Sequence, residues 1–446
     1  MRINNINIKN FRGFADRSFD LDPKMNVVLG NNATGKTTLL HAVQIALGAY
    51  LQSLSLLPKD QPQQFRRGFK KDDHVKIYSE TSKSFFPIKD NPSIEVDTVF
   101  TEELFNKNNN EIQSSLTKVR WTKNGNTISR KNNGELMDVV EKLEEERRNA
   151  DATGRISILP LILTFGATRL QNNYNAAQKT KARASREENA YKCALDEHVD
   201  FKSAFDWIYS FDKNVVKEKE FEGTDEAFFN AIKKGIPAIK QIDINIKNSE
   251  FYAQIQTTED SDPQWLEYDM MSDGYQSVIN MVAEIAYRCI MLNGFLGTDA
   301  VEKTPGIVMI DEVDLYLHPL WQRHVLEDFQ RAFPNIQFIV TTHSPFIVQS
   351  VKSKNIIKLD GEKGNSDPNI RNMEEVAVVE MNVPSMHTDN YNKMLEKADE
   401  FYNLIKQGNS TPEEKARIKQ ELIKLEAKFS ENPAYVALLK AEGEIK

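Results

Sequence analysis

Residues Gly30-Asn31-Asn32-Ala33-Thr34-Gly35-Lys36-Thr37, with Thr38 behind them, form a loop punctuated by two glycines and closed by a lysine and a hydroxyl. Glycines at 30 and 35 let the backbone curl so that successive N–H groups point inward at phosphate oxygens, with a helix N-terminus behind them. In such a loop Lys36 would reach the β- and γ-phosphates, and the Thr37 hydroxyl would ligate Mg²⁺. The apolar run Met25–Leu29 leads into the loop and helical periodicity follows it to Gly48. That is the strand–loop–helix context a phosphate cradle requires.

A second apolar run, Gly306–Ile310, ends in Asp311-Glu312. In a parallel sheet an acid at the carboxyl end of a strand lies beside the phosphate loop, where Asp311 can hold Mg²⁺ and Glu312 can polarise an attacking water as general base. A third run, Ile336–Thr341, leads to His343, placed to contact a γ-phosphate or that water. Ser272 and Gly274 stand directly ahead of a long apolar helix. They suit an anion-binding helix terminus, and an ordinary N-cap would explain them equally well.

The elements that must carry these groups read as α/β. Ile3, Ile6, Ile8 and Phe11 suggest a half-buried first strand. Ser93–Phe100 and Leu116–Ser129 look like antiparallel strands, with Asn124-Gly125 as hairpin turn. Leu136, Val139, Val140 and Leu143 fall on one helix face. Ile156–Phe165 reads as one buried strand, Ser277–Leu296 and His318–Phe333 as helices, and 171–192 as an exposed insertion or a mobile loop. After Met386 the pattern is helical throughout. Seams at Tyr391, Leu395, Ala398, Tyr402 and Ile405, and at Ile418, Leu422, Leu425 and Phe429, suit either a self-contained helical hairpin or a docking surface.

The chain has 446 residues and a formal net charge of −8. That sign opposes nucleic-acid binding by bulk charge, although Arg66-Arg67-Gly68-Phe69-Lys70-Lys71 and Lys179, Lys181, Arg183 and Arg186 could meet nucleic-acid phosphates locally. Two cysteines, Cys193 and Cys289, make neither a disulfide framework nor a CxxC metal site. No secretory signal or membrane span is read, and a cytoplasmic location is expected.

Taken in order, the four motifs resemble the ATP-binding cassette heads of the SMC, Rad50 and RecF class, and Ile3-Asn-Asn-Ile-Asn-Ile-Lys-Asn-Phe-Arg-Gly-Phe14 is similar to that group's first strand and turn. The resemblance implies an ABC-type P-loop ATPase head with an antiparallel β lobe, a helical subdomain and a C-terminal helical region. It divides the chain into a head at 1–385 and a helical docking or oligomerisation region at 386–446. Within the head it implies a lobe with the phosphate loop at 1–135, an inserted region at 136–265, and the remaining motifs at 266–385. ATP would be held by Gly30 to Thr38, Arg12, Asp311, Glu312 and His343 of one chain and capped by Ser272 and Gly274 of a second. A family glutamine finds only Gln61, Gln63 and Gln64 as candidates. Asp311-Glu-Val-Asp-Leu-Tyr-Leu-His-Pro319, Trp321-Gln-Arg323, Phe333–Pro345 and Leu161–Arg169 further resemble the Septu (PtuA) and retron-associated ATPases of bacterial anti-phage systems. This implies a homodimer or a higher homo-oligomer that controls a separate HNH-type (PtuB-like) effector nuclease through slow ATP hydrolysis. A RecF-like repair ATPase and a partner for a Toprim effector are the alternatives. The middle of the chain lacks the sustained heptads of an SMC arm.

Overall fold

The computed structural model describes residues 1–59, 62–87, 90–109, 111–169, 185–197, 202–210, 222–257, 260–361 and 366–384, with a few isolated positions besides. The chain divides into a unit at Met1–Met381 and a second at Asn382–Lys446. The helical seams from Tyr391 to Phe429 lie outside the described residues, as do Gln61, Lys179, Lys181 and Arg183.

The first unit is organised around five strands, β3 (Met25–Leu29), β9 (Leu161–Phe165), β13 (Gly306–Ile310), β14 (Ile336–Thr341) and β15 (Ile356–Lys358). Their order is β15-β3-β14-β13-β9 and every pairing is parallel. β3, β9, β13 and β14 are buried at every position, as expected where helices cover both faces of a parallel sheet, and this is why they read as unbroken apolar runs. Helices α1 (Lys36–Ser53) and α6 (Asp273–Asn293) pack against it. Because the strands run one way, the chain segments after β3, β9, β13, β14 and β15 all emerge at one edge, which is where open α/β sheets place their sites.

An antiparallel lobe holds β1 (Arg2–Phe11), β2 (Phe14–Asp20), β6 (Ser93–Asn106), β7 (Glu111–Lys123) and β8 (Arg155–Ser157), with β2-β1-β6-β7 in order and β8 on β6. Ile3, Ile6, Ile8 and Phe11 are all fully buried. The odd step from Ile3 to Ile6 is accommodated by a register shift against β6 between Ile3 and Asn5, a bulge that restores the inward face. A hairpin of β4 (Lys76–Ser79) and β5 (Ser84–Pro87) and a meander of β10 (Ile239–Asn245), β11 (Glu250–Ile255) and β12 (Gln264–Glu267) complete the strands.

Several expectations are corrected. The hairpin connection falls between Asn106 at the end of β6 and Glu111 at the start of β7, whereas Asn124-Gly125 follows β7 and leads to α2 (Arg130–Arg148). Cross-strand partners from Ile94↔Lys123 to Asn106↔Glu111 outweigh the local turn propensity. Ile156–Phe165 is two strands, β8 and β9, in different sheets, because Ile158–Pro160 crosses between them. Part of 171–192 is regular: Arg186–Tyr191 forms helix α3, with α4 (Lys202–Tyr209) and α5 (Thr224–Gly235) beyond it. His318–Phe333 is a short turn, Pro319–Gln322, and then α7 (Val325–Ala332). Among the described residues one stretch, Asp273–Lys303, is long and apolar enough to cross a bilayer, and 94% of its apolar window is buried inside the protein. It is the core helix.

Candidate functional site

The loop after β3 winds through Ala33 at φ +67° and Gly35 at φ +107°, with the Thr34 N–H and hydroxyl both donating to the Asn31 carbonyl (3.3 and 2.9 Å). Neither glycine admits a side chain. A Cβ on Gly30 would lie 2.3 Å from Thr34 Oγ1, and one on Gly35 would lie 2.8 Å from the Phe14 ring. The curl concentrates backbone donors at the start of α1. Lys36 Nζ bridges the Gly30 and Asn31 carbonyls at 2.7 and 3.2 Å. Burial lowers its pKa, opposed by Asp311, Asp360, Glu312 and Asp314, so a field of carboxylates surrounds the ammonium.

The three neighbouring strand ends converge on this loop. Thr37 Oγ1 donates to Asp311 Oδ2 at 3.1 Å, across 274 residues of sequence. The other carboxylate oxygen, Oδ1, accepts from Thr341 Oγ1 at 2.5 Å, and the same threonine oxygen accepts the Glu312 N–H at 2.8 Å. Glu312 adopts φ +51°, a left-handed backbone rare for a side-chain-bearing residue, and the surrounding bonds must hold it there. His343 is exposed two residues beyond β14. The chain on either side of it is clamped: Thr342 Oγ1 donates to Asp314 Oδ1, and Ser344 Oγ to Gln322 Oε1, both at 2.5 Å. An exposed hydroxyl beside a half-buried carboxylate offers hard oxygen ligands of the kind Mg²⁺ takes together with phosphate oxygens.

Ser272 is exposed at the start of α6, and its hydroxyl makes no capping bond to the helix. Ser272 nevertheless stands at the N-cap position of α6, with an extended backbone. Gly274 is buried against the segment that follows Glu312: a Cβ there would sit 2.8 Å from the Tyr316 carbonyl. Among the described residues no hydrogen bond joins Ser272 to the phosphate loop. Arg12, at φ +49° in the β1–β2 turn, pairs with Asp73 through Nε at 2.8 Å and meets His41 Nδ1 of α1 at 2.5 Å. His41 Nε2 in turn meets Glu197 at 2.5 Å. Arginine carries only donors, so Nδ1 is the acceptor and the imidazole is neutral, in accord with a pKa lowered chiefly by burial.

Three contributors escape the motif reading. Asp360 accepts the Asn31 N–H at 3.0 Å. It stands after the apolar run Ile356-Ile357, the same acid-after-strand signal that marks Asp311. Thr341 ends its own apolar run. Arg169, already marked by its strand, reaches much further than its position suggests, because its guanidinium caps the Asp311 and Glu312 carbonyls. Of the glutamine candidates, Gln61 lies outside the described residues, and Gln63 and Gln64 lie in the short turn Pro62–Gln64, the Gln64 carbonyl receiving the Cys193 N–H. The basic cluster is partly structural, since Arg67 donates to Gln44 at 2.8 Å and burial lowers its pKa to about 10.

Residues 25–349 match the family described as "AAA domain, putative AbiEii toxin, Type IV TA system". The Retron Ec83 probable ATPase of Escherichia coli is 26% identical, covering 91% of this chain and 80% of that protein. The Septu protein PtuA of Bacillus mycoides is 27% identical, covering 60% of this chain and 35% of that protein. An SMC head domain from Thermotoga maritima aligns with TM-score 0.39 and 13% identity, over 80% of this chain and 94% of that one. With its phosphate loop, acid-tipped β13 and the parallel strands β3, β9, β13 and β14 inside the matched span, the chain belongs to the AAA_21 family of P-loop ATPase domains.

Proposed function

We propose that the chain binds and hydrolyses ATP with Mg²⁺, and that it acts as the nucleotide-switched scaffold of a bacterial anti-phage complex. The observation that carries the reading is the 3.1 Å contact between Thr37 and Asp311, which brings a hydroxyl and a carboxylate to the mouth of a glycine-lined cradle. A bound Mg²⁺ supplies charge neutralisation for the β- and γ-phosphates. The backbone from Ala33 to Lys36 and the Lys36 ammonium bind and orient those phosphates; Thr37 and Asp311 would hold the ion. Glu312 accepts the proton of the attacking water, and His343 lies on the adjacent strand end, where it can orient that water or the terminal phosphate. Ser272, with its hydroxyl uncommitted to its own helix, would cap the nucleotide of a second copy together with Gly274, so ATP would hold two heads closed. By the resemblance to Septu and retron ATPases, the controlled partner would be a separate effector nuclease.

Lys36→Ala tests the first step: nucleotide affinity, followed with a fluorescent ATP analogue, should be lost while the thermal melt is retained. Glu312→Gln tests the second. It should keep affinity, abolish phosphate release, and accumulate an ATP-dependent dimer in sedimentation. A Lys36→Ala chain that binds and turns over ATP like the parent refutes the reading. Co-purification of an HNH-type nuclease from the native host would separate defence from DNA repair.

A further inference from the structure

Arg169 is 3% exposed, and among the described residues no carboxylate hydrogen-bonds to its guanidinium. Its donors go to Ser277 Oγ (Nε, 3.2 Å), to the Asp311 and Gly166 carbonyls (Nη1, 3.0 and 3.4 Å), and to the Glu312 and Leu315 carbonyls (Nη2, 3.0 and 3.2 Å). Burying a cation among neutral acceptors is costly unless nearly every donor is used, and here the planar fork satisfies four carbonyls and a hydroxyl at once. The acceptors belong to three elements: the carboxyl end of β9, the turn that starts at Asp311, and α6. Within that turn Glu312 and Tyr316 both hold left-handed backbones, φ +51° and +70°. The Tyr316 carbonyl is also the atom against which Gly274 is packed. Arg169 at Ser277 and Tyr316 at Gly274 are therefore two grips of one turn on the same helix.

We infer that Arg169 is a positioning residue that fixes the Asp311–Tyr316 turn and locks it to the helix carrying Ser272, so that nucleotide at one head sets the surface offered to the other. The inference rests on the ATPase reading above. Metal and attacking water would be met by the Asp311 and Glu312 side chains of this turn, while Arg169 holds its carbonyls. A shift in the turn therefore has a rigid route to α6. Lysine cannot replace it, since a single ammonium has three donors on a point charge and cannot span carbonyls on both sides of the turn.

The test compares Arg169→Lys, Arg169→Met and Ser277→Ala in the full chain, alone and combined with Glu312→Gln. Nucleotide affinity of the separated heads should stay within about threefold of the parent, while kcat falls by about 30-fold or more in both arginine variants. ATP-dependent dimerisation in the Glu312→Gln background should be lost in them and weakened about tenfold in Ser277→Ala. A merely structural role would lower the melting temperature and affinity together and would be relieved by Arg169→Lys. If Arg169→Met does not fold, Arg169→Lys and Ser277→Ala decide. Variants that fold and keep kcat and dimerisation within about twofold overturn the inference while leaving the ATPase reading intact. A parent chain that neither binds nor hydrolyses ATP overturns both.

Discussion

Thr341→Val removes one hydroxyl and no volume of consequence, at a residue with no measurable exposure. That hydroxyl does two things at once. It donates to Asp311 Oδ1 at 2.5 Å and accepts the Glu312 N–H at 2.8 Å. Losing the acceptor strands a backbone donor, which destabilises by about 1–3 kcal/mol. Losing the donor removes a charge-assisted bond of roughly 1.5–3 kcal/mol that fixes the rotamer of the carboxylate assigned to Mg²⁺. If that bond is fully used only when the ion bears on the transferring phosphate, its loss appears in kcat, at about tenfold per 1.4 kcal/mol. The variant should therefore show phosphate release slowed by about 10- to 150-fold at saturating ATP and Mg²⁺. Thr341→Ser, which keeps the oxygen, should recover most of the rate. Steady-state phosphate release with a thermal melt on each variant measures both. Turnover in Thr341→Val within about twofold of the parent, or a serine variant as slow as the valine, would refute the assignment of Asp311 as the anchored ligand.

Gly274→Ala places a Cβ 2.8 Å from the Tyr316 carbonyl, so differential scanning calorimetry should show a loss of about 1–3 kcal/mol. His41 is held below its ordinary value of 6.5 chiefly by burial; the unfolded chain takes up that proton first, and stability is lost as pH falls from about 6.5. Melting temperature against pH between 7 and 5 should decline less steeply in His41→Gln than in the parent. Asp328 is raised to about 6 by burial, against the pull of Arg331. The native state therefore favours its protonated form, and stability is lost as pH rises from 3.8 through 6. Asp328→Asn should thus gain in melting temperature over the parent at pH 7.5 and lose that advantage at pH 5.

The central sheet was legible because strands buried on both faces leave unbroken apolar runs, and each run that mattered ended in a reactive residue: Gly30 after Leu29, Asp311 after Ile310, His343 shortly after Thr341. The same logic fails where tertiary pairing overrules a local signal. Asn124-Gly125 has the composition of a hairpin turn, yet the register of β6 on β7 puts the connection between Asn106 and Glu111. Ile156–Phe165 is mostly apolar, broken only by Ser157, Pro160 and Thr164, and its apolar run does not show that Ile158–Pro160 carries the chain from one sheet to another. Ser272 illustrates a third case: it stands at the N-cap, as its residue type allows, and that its side chain makes no cap bond is a contact only the structure reports.

What the sequence hides is the set of contacts made by strand order. β14 lies between β3 and β13, so the residue best placed to steady Asp311 is Thr341, which comes after it in the chain and carries no charge to advertise it. Asp360 meets Asn31 for the same reason, because β15 flanks β3 from the other side. Arg169 is the extreme instance. The sequence marks it only as an arginine after an apolar strand, and its five hydrogen bonds, to four carbonyls and a hydroxyl of three elements, become visible only when β9 is placed beside β13. The acidic and glycine-rich residues that would touch nucleotide are thus chosen by chemistry and can be read one at a time. The neutral and cationic groups that hold them follow from the order of five parallel strands, and substitutions at Thr341 and Arg169 test that order as much as they test the site.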